Sequence, residues 1–329
     1  SKKIAIFGCK STTRFLVENL AGRIPISRII TIAPELAHRN DVADYLDMTA
    51  TAEEFGIPLY TAQSYALKSA ADEEFFAREA IDLAFVVGWQ RLVPEKILQT
   101  FSIGVFGMHG SAMDLPLGRG RSPMNWAIIE GKGQFFTNLF RYDPGVDSGD
   151  VLDTYKFQIT PQDTGETMHF KNTLSMVHLV EKNLDVLLAN HFKLQRQSEQ
   201  IQPTYYPKRS PKDSLVGWEL DIAALERFIR AVAPPFNGAY SYVNGEERIT
   251  LLRAQVFDFT DFGLGSALPG TVVQVFPNGK LLVKCYGGLL LVHEYTCGAR
   301  LVKGDLLSNG PETLNRFARN AQGNFDIPE

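Results

Sequence analysis

Residues 104–150 read GVFGMHGSAMDLPLGRGRSPMNWAIIEGKGQFFTNLFRYDPGVDSGD. Residues 105–108 are an apolar run of the kind that forms a buried strand. His109 stands at its end, flanked by Gly110 and Ser111. An Arg- and Gly-rich loop, 118–121, follows. Pro123 then opens a helical run over 124–129, since proline suits the first turn of a helix. A second apolar segment, 135–140, leads into Asp143, Pro144, Gly145, Val146 and Asp147, with Gly149 close behind. One histidine and one aspartate thus each sit where a strand gives way to a glycine-containing loop. In open α/β sheets that rim is where ligands bind.

The same alternation runs outward from this stretch. Upstream, a strand over 3–7, a helix over 12–21 and a strand over 29–33 make a βαβ start, which implies a parallel sheet. The turn after the first strand lacks G-x-G-x-x-G, so no dinucleotide site is expected. A helix over 40–55, a strand over 57–60, a helix over 70–79, a strand over 83–87 and a short helix over 94–99 complete this half. Downstream, 151–157 extends the sheet. Asp163 and Glu166 have the spacing of a capping box. The helix they start carries a stripe of Leu174, Val177, Val180, Leu184, Leu187 and Leu188 and is expected to end near His191.

Past a Pro- and Tyr-containing segment at 201–210 the pattern changes. A helix over 220–232 precedes short strand-like runs at 239–243, 248–254, 271–275, 281–285 and 289–293. Asn244-Gly245 and Asn278-Gly279 supply turns between them. Five short strands in so little chain predict a small OB-like barrel. The expected fold is therefore α/β: a Rossmann-like, mostly parallel domain over 1–200, a linker at 201–218, an OB-like β-barrel domain over 219–310 and a tail at 311–329.

Composition narrows the function. The chain has 329 residues, a net charge of −4 and 45% hydrophobic residues. Its pI is near 5.9, which argues against broad phosphate contact with nucleic acid. Three cysteines, Cys9, Cys285 and Cys297, make no disulfide framework, so a reducing, cytoplasmic setting is expected. No run has the length of a membrane span, and the first residues lead into a strand without a signal-type apolar core. No Cys/His cluster has zinc spacing, so no metal is expected.

Of the six histidines, His109 alone falls at a strand end among small residues. With Asp147 it offers a general base and an orienting carboxylate. Arg119 and Arg121 flank Gly120 and suit an anionic ligand. Trp89, Trp126 and Tyr142 are aromatic surfaces on which a planar ring could stack.

These residues carry a resemblance. His109-Gly110-Ser111, Leu115-Pro116, Arg119-Gly120-Arg121, Pro123, Asn125-Trp126, the strand around Thr137 and Asp147-Ser148-Gly149 resemble the signature of the N10-formyltetrahydrofolate-dependent formyltransferases. Tyr206 to Arg209, Asp213, Trp218 and the run from Phe228 to Tyr240 extend the likeness through most of the chain. The resemblance implies N10-formyltetrahydrofolate as cofactor, with His109 and Asp147 as catalytic residues. It places the pterin on Trp89, Gln90, Arg91 and Leu92, on Asp143, Pro144, Gly145 and Val146, and near Arg121. Gly110, Ser111, Arg119, Asn125 and Asn138 would face the substrate.

One position departs from the pattern. The family uses an Asn two residues before the His, to hold the formyl oxygen as charge grows on it; here that position is Gly107. Asn138, Asn125, an ordered water or protonated His109 are the candidate replacements. The segment from Gly88 to Pro94 and the Gly-Ser after His109 look closer to the sugar N-formyltransferases than to the methionyl-tRNA enzymes. The implied acceptor is a dTDP- or UDP-linked amino sugar used in surface glycans such as O-antigen. A homodimer is expected, with neither nucleic acid nor membrane as a partner. Methionyl-tRNA formyl transfer and a silent ligand-binding relative are the alternatives.

Overall fold

The computed structural model describes residues 1–326; the last three residues of the expected tail lie outside the described residues. The chain divides into two compact units. The first holds Ser1–Arg119, Phe136–Lys156 and Lys171–Pro203, and the second holds Gly120–Phe135, Phe157–Phe170 and Thr204–Glu329.

The first unit is built on a seven-stranded sheet. Its strands are β1 (Ile4–Phe7), β2 (Ile26–Ile32), β3 (Leu59–Ala62), β4 (Leu83–Val86), β5 (Gly104–Ser111), β7 (Gln134–Arg141) and β8 (Val151–Gln158); the short β6 (Arg119–Gly120) stands outside it. The order is β3-β2-β1-β4-β5-β7-β8. Pairings from β3 to β5 are parallel, and β7 runs antiparallel to β5. The mostly parallel, Rossmann-like sheet is as expected. Its central strands are buried on both faces, as parallel strands must be. Ile4 and Ile6 of β1 join one core, with Leu16 and Leu20 of α1 (Ser11–Leu20) and Val180 and Leu187 of α7 (Gly165–Leu188). Ala5 and Phe7 join the other, with Phe75 and Phe76 of α4 (Ala70–Glu79) and Ile97 of α5 (Glu95–Leu98).

Three local expectations need correction. The helix expected over 40–55 is instead α2 (Pro34–Arg39), a turn region and α3 (Thr49–Phe55). Asp41 and Asp44 take left-handed backbone, with φ of 48° and 56°, which no α-helix accommodates. The cap of α7 lies one residue late: the Thr164 and Thr167 hydroxyls accept from each other's backbone N–H at 3.3 and 2.9 Å. Asp163 instead accepts from Thr160 N and from the Thr167 hydroxyl. β5 does not stop before His109 but continues to Ser111, because β7 supplies a ladder that pairs His109 with Asn138 and Ser111 with Phe136.

The second unit contains α6 (Pro123–Ile129), β9 (Tyr205–Tyr206), α8 (Ile222–Val232) and a six-stranded antiparallel sheet. The sheet strands are β10 (Ala239–Val243), β11 (Glu247–Asp258), β12 (Val272–Val275), β13 (Leu281–Cys285), β14 (Gly288–Cys297) and β15 (Leu307–Ser308), in the order β12-β13-β14-β11-β10-β15. A bridge between Thr271 and Leu306, with the Leu307 N–H donating to the Gly270 carbonyl, joins the two ends of that order. The sheet therefore closes into the expected OB-like barrel. Bulges in the β11–β14 pairing let those long strands bend around it. Asp221 caps α8 through Ala224 N. The helix then lays Leu225, Phe228, Ile229 and Val232 onto Ile249, Leu251 and Leu290.

Candidate active site

His109 and Asp147 meet within the first unit. Strand alternation turns His109 and Gly107 to the same face of β5. The His109 ring is buried, and its Nε2 lies 2.8 Å from the Gly118 carbonyl. A carbonyl can only accept, so Nε2 carries the hydrogen in that bond. Nδ1 faces Asp147 Oδ2 at 3.5 Å.

Asp147 is held in left-handed backbone, φ 51°. Aspartate tolerates that region better than most residues, and the loop is also pinned from outside. Gln197 Nε2 donates to the Asp147 carbonyl at 2.7 Å and to the Gly149 carbonyl at 2.9 Å. Gln197 Oε1 in turn accepts from Arg119 at 2.7 Å. Gly149 is needed here, since a Cβ would lie 1.7 Å from the Arg141 carbonyl. Asp143 ties the other end of the loop by accepting from Gly145 N and the Ser148 hydroxyl. Nothing in the sequence marked Gln197: it follows α7 in an irregular stretch with no periodicity.

The other expected site residues fall into three groups. Arg119 is buried rather than solvated, and its loop is bonded in place. With Arg196, Asp143, Asp150 and Glu199 it lines a polar cleft of about 640 Å³ in the first unit. Gly110 and Ser111 are buried in β5, where the Ser111 hydroxyl accepts from Met113 N. Asn138 is buried too; its Nδ2 donates to Asp114 at 3.3 Å and its Oδ1 accepts from Thr154.

In the segment after β4, Trp89 packs edge-on against Tyr65 and Phe7 inside a core, so it offers no open stacking face. Its Nε1 is buried and makes no hydrogen bond among the described residues. Gln90 N donates to the Tyr65 hydroxyl. The Arg91 guanidinium lies 4.7 Å over the Tyr65 ring and donates to Asn40. Burial pushes the Tyr65 phenol up to about 12, so it stays a neutral partner. Leu92 and Val146 are exposed, at 50% and 47%, while Pro144 and Gly145 lie on the surface beside Val146.

Arg121 and Asn125 belong to the second unit. Arg121 N donates to the Tyr206 carbonyl, and Asn125 Nδ2 donates to the Ala231 carbonyl at 2.9 Å. Trp126 is buried there against Tyr206, Phe317 and Phe325, with Nε1 on the Pro207 carbonyl. It is a core residue, which removes it as a stacking surface.

A mostly parallel sheet unit in which a buried His faces a loop Asp, with a small antiparallel β-barrel later in the chain, is a two-part α/β architecture. Residues 19–180 match the formyl transferase family and residues 208–310 match the formyl transferase C-terminal domain, so the chain belongs to the formyl transferase family and is a formyl-transferring enzyme. Among solved structures it is similar to an N-formyltransferase from Helicobacter canadensis in complex with folinic acid and dTDP-3-aminofucose. That match has 16% identity and a TM-score of 0.66, covering 90% of this chain and 100% of that one. It is also similar to WlaRD, a sugar 3N-formyl transferase solved in the presence of dTDP and 5-N-formyl-THF, at 17% identity and 0.65, covering 91% and 99%. A methionyl-tRNA formyltransferase from Clostridium thermocellum matches at 16% and 0.52, covering 92% and 100%. At such identities these likenesses speak for the fold.

Proposed function

We propose that this enzyme moves a formyl group from N10-formyltetrahydrofolate to the amino group of a dTDP- or UDP-linked amino sugar destined for a surface glycan. The observation that carries this reading is the buried His109 of β5 facing the half-buried Asp147 of the loop after β7, 3.5 Å apart. The donor, when bound, supplies an activated formyl group. The first unit fits such a ligand in three respects. Leu92 and Val146 expose apolar surface for a flat ring. The backbone at Asp143, Pro144, Gly145 and Val146 is held in shape by Asp143. The segment Trp89, Gln90, Arg91 and Leu92 contains a buried indole N–H that still needs an acceptor, and such a donor costs about 1–3 kcal/mol while unpaired.

The chemistry asked of the protein is proton handling. An attacking amine must be neutral, so a proton has to leave it. Gly118 fixes the His109 ring through Nε2. Nδ1 is then the nitrogen that takes or returns a proton, and the Asp147 carboxylate beside it balances the charge. Arg119, on the polar cleft, suits an anionic part of the acceptor.

The acceptor class rests on the better fold match to the two sugar enzymes than to the tRNA enzyme, and on an acidic pI of 5.9. Carried with it are a cytoplasmic site of action, a homodimer, and the division into a transferase domain over 1–200, a linker at 201–218, a barrel over 219–310 and a tail from 311. Among the described residues no helix is long and apolar enough to cross a membrane.

Tetrahydrofolate release, measured against a panel of dTDP- and UDP-amino sugars and formyl-acceptor tRNA, tests the reading. Release with one nucleotide sugar is expected; release with tRNA alone overturns it. His109→Ala is expected to abolish release with the melting temperature kept, and Asp147→Asn to slow it by several orders of magnitude. Full activity in either variant removes that residue from the mechanism.

A further inference from the structure

A Cβ built on Gly107 would lie 2.0 Å from Tyr142 Cε1, 2.5 Å from Cζ and 2.6 Å from the hydroxyl oxygen. The Tyr142 ring therefore occupies the space that any side chain at position 107 would fill. The hydroxyl lies at about the distance from that Cβ at which a polar group of such a side chain would stand: an asparagine amide nitrogen is roughly 2.4 Å from its own Cβ, from ordinary C–C and C–N bond lengths. Gly107 and His109 are two apart on β5, so the direction of that missing Cβ is the direction His109 takes. Tyr142 directly follows β7, and its N–H donates to the Val105 carbonyl at 2.8 Å. Its ring stacks on Phe140, with centroids 5.3 Å apart. The hydroxyl is thus aimed by backbone and ring contacts.

Three of the candidate replacement donors already have partners. Asn138 is tied to Asp114 and Thr154, Asn125 to Ala231, and His109 Nε2 to Gly118. The Tyr142 hydroxyl makes no hydrogen bond to any described residue. We propose that Tyr142, laid over Gly107, is the hydrogen-bond donor that holds the formyl oxygen beside His109. This assignment rests on the reading that the formyl donor binds at His109. A phenol suits the task, because preformed hydroxyl donors stabilise charge growing on a carbonyl oxygen. Burial, reinforced by the charge of Asp147, raises the phenol above its ordinary value and keeps its proton on across the working pH range.

Tyr142→Phe removes the hydroxyl and keeps the ring. The probe is 10-formyl-5,8-dideazafolate labelled with ¹³C in the formyl group, and the readout is the carbonyl stretching frequency of the bound molecule. A downshift in the wild-type complex, lost in Tyr142→Phe with the dissociation constant changed less than about threefold, is expected. With an acceptor, kcat should fall on the order of 10²–10³-fold, the typical loss for one such donor. The double variant Gly107→Asn/Tyr142→Ala clears the ring and restores an amide; it should recover the downshift that Tyr142→Ala alone loses. An unshifted carbonyl in the wild type, or a downshift and kcat retained in Tyr142→Phe, overturns the assignment. A downshift lost in Tyr142→Phe while no amino sugar is formylated upholds Tyr142 and overturns the acceptor. Failure of the probe to bind overturns the donor reading and this assignment together.

Discussion

At the scale of single residues, the site depends on a side chain that does no chemistry. Gln197 holds two carbonyls of the Asp147 loop and the Arg119 guanidinium at once. Gln197→Ala frees a loop whose central residue sits in left-handed backbone. We expect kcat to fall about tenfold or more as Asp147 loses its register with His109, while the melting temperature moves by only a few degrees. Gln197→Glu keeps the length but cannot donate, and should behave like the alanine variant; an unchanged kcat in both would remove the pinning role. His109 and Asp147 were legible in the sequence because each follows an apolar run and is bracketed by small residues. Gln197 was not, since its partners lie some 50 and 78 positions away and no local pattern announces them. Tyr142 was legible only as an aromatic. The meaning of Gly107 comes from a contact, and contacts across strands are not written in spacing.

At the scale of elements, periodicity read well where one face was buried and poorly where tertiary contacts mimicked it. In α7, Val180 and Leu187 are fully buried while Leu174 is 61% exposed. Leu187→Ala should cost about 2–4 kcal/mol of unfolding free energy and Leu174→Ala almost nothing, a difference that denaturant titration resolves. Between α2 and α3, Val42, Tyr45 and Leu46 have helical spacing without helix. They pack against the core from an irregular segment, where Tyr45 donates to the Ile32 carbonyl.

The link between β8 and α7 gives a pH prediction. Burial would raise the Asp153 carboxyl, but hydrogen bonds from Asn183, Lys182 and Thr154 N prevail and hold it below its ordinary value. A depressed carboxylate contributes stability above the unfolded value, near about 4, and loses it as pH falls through the folded one. Asn183→Ala brings the folded value up toward the unfolded one. The variant is less stable at neutral pH and loses less on acidification, so the gap in melting temperature should start to narrow near about pH 4 and close only once pH has fallen below the depressed folded value.

At the scale of the whole molecule, the barrel was legible through its turns: Asn244-Gly245 and Asn278-Gly279 punctuate strands that formed near where they were expected. Its closure was not, because β15 has two residues and exists only through its partners. The charge balance makes a further prediction. With the proposed dTDP- or UDP-linked acceptor, an enzyme of net charge −4 would engage no more than the two phosphates of the diphosphate, so its KM should change little between low and moderate salt. A tRNA-dependent enzyme loses affinity steeply over the same range. A steep loss here would count against the sugar acceptor.

The overlap between position 107 and the Tyr142 ring also bears on how such a site changes over evolutionary time. Asparagine at 107 with tyrosine at 142 collides, and glycine at 107 with a small residue at 142 leaves a hole and no hydroxyl. The two positions are therefore epistatic. If Tyr142 is the donor, a lineage passes between the amide and the phenol arrangement by changing both, and each single-step variant, Gly107→Asn or Tyr142→Ala, is expected to be less active than either intact pair. Ancestors along that path should show either pair intact and the mixed pairs seldom.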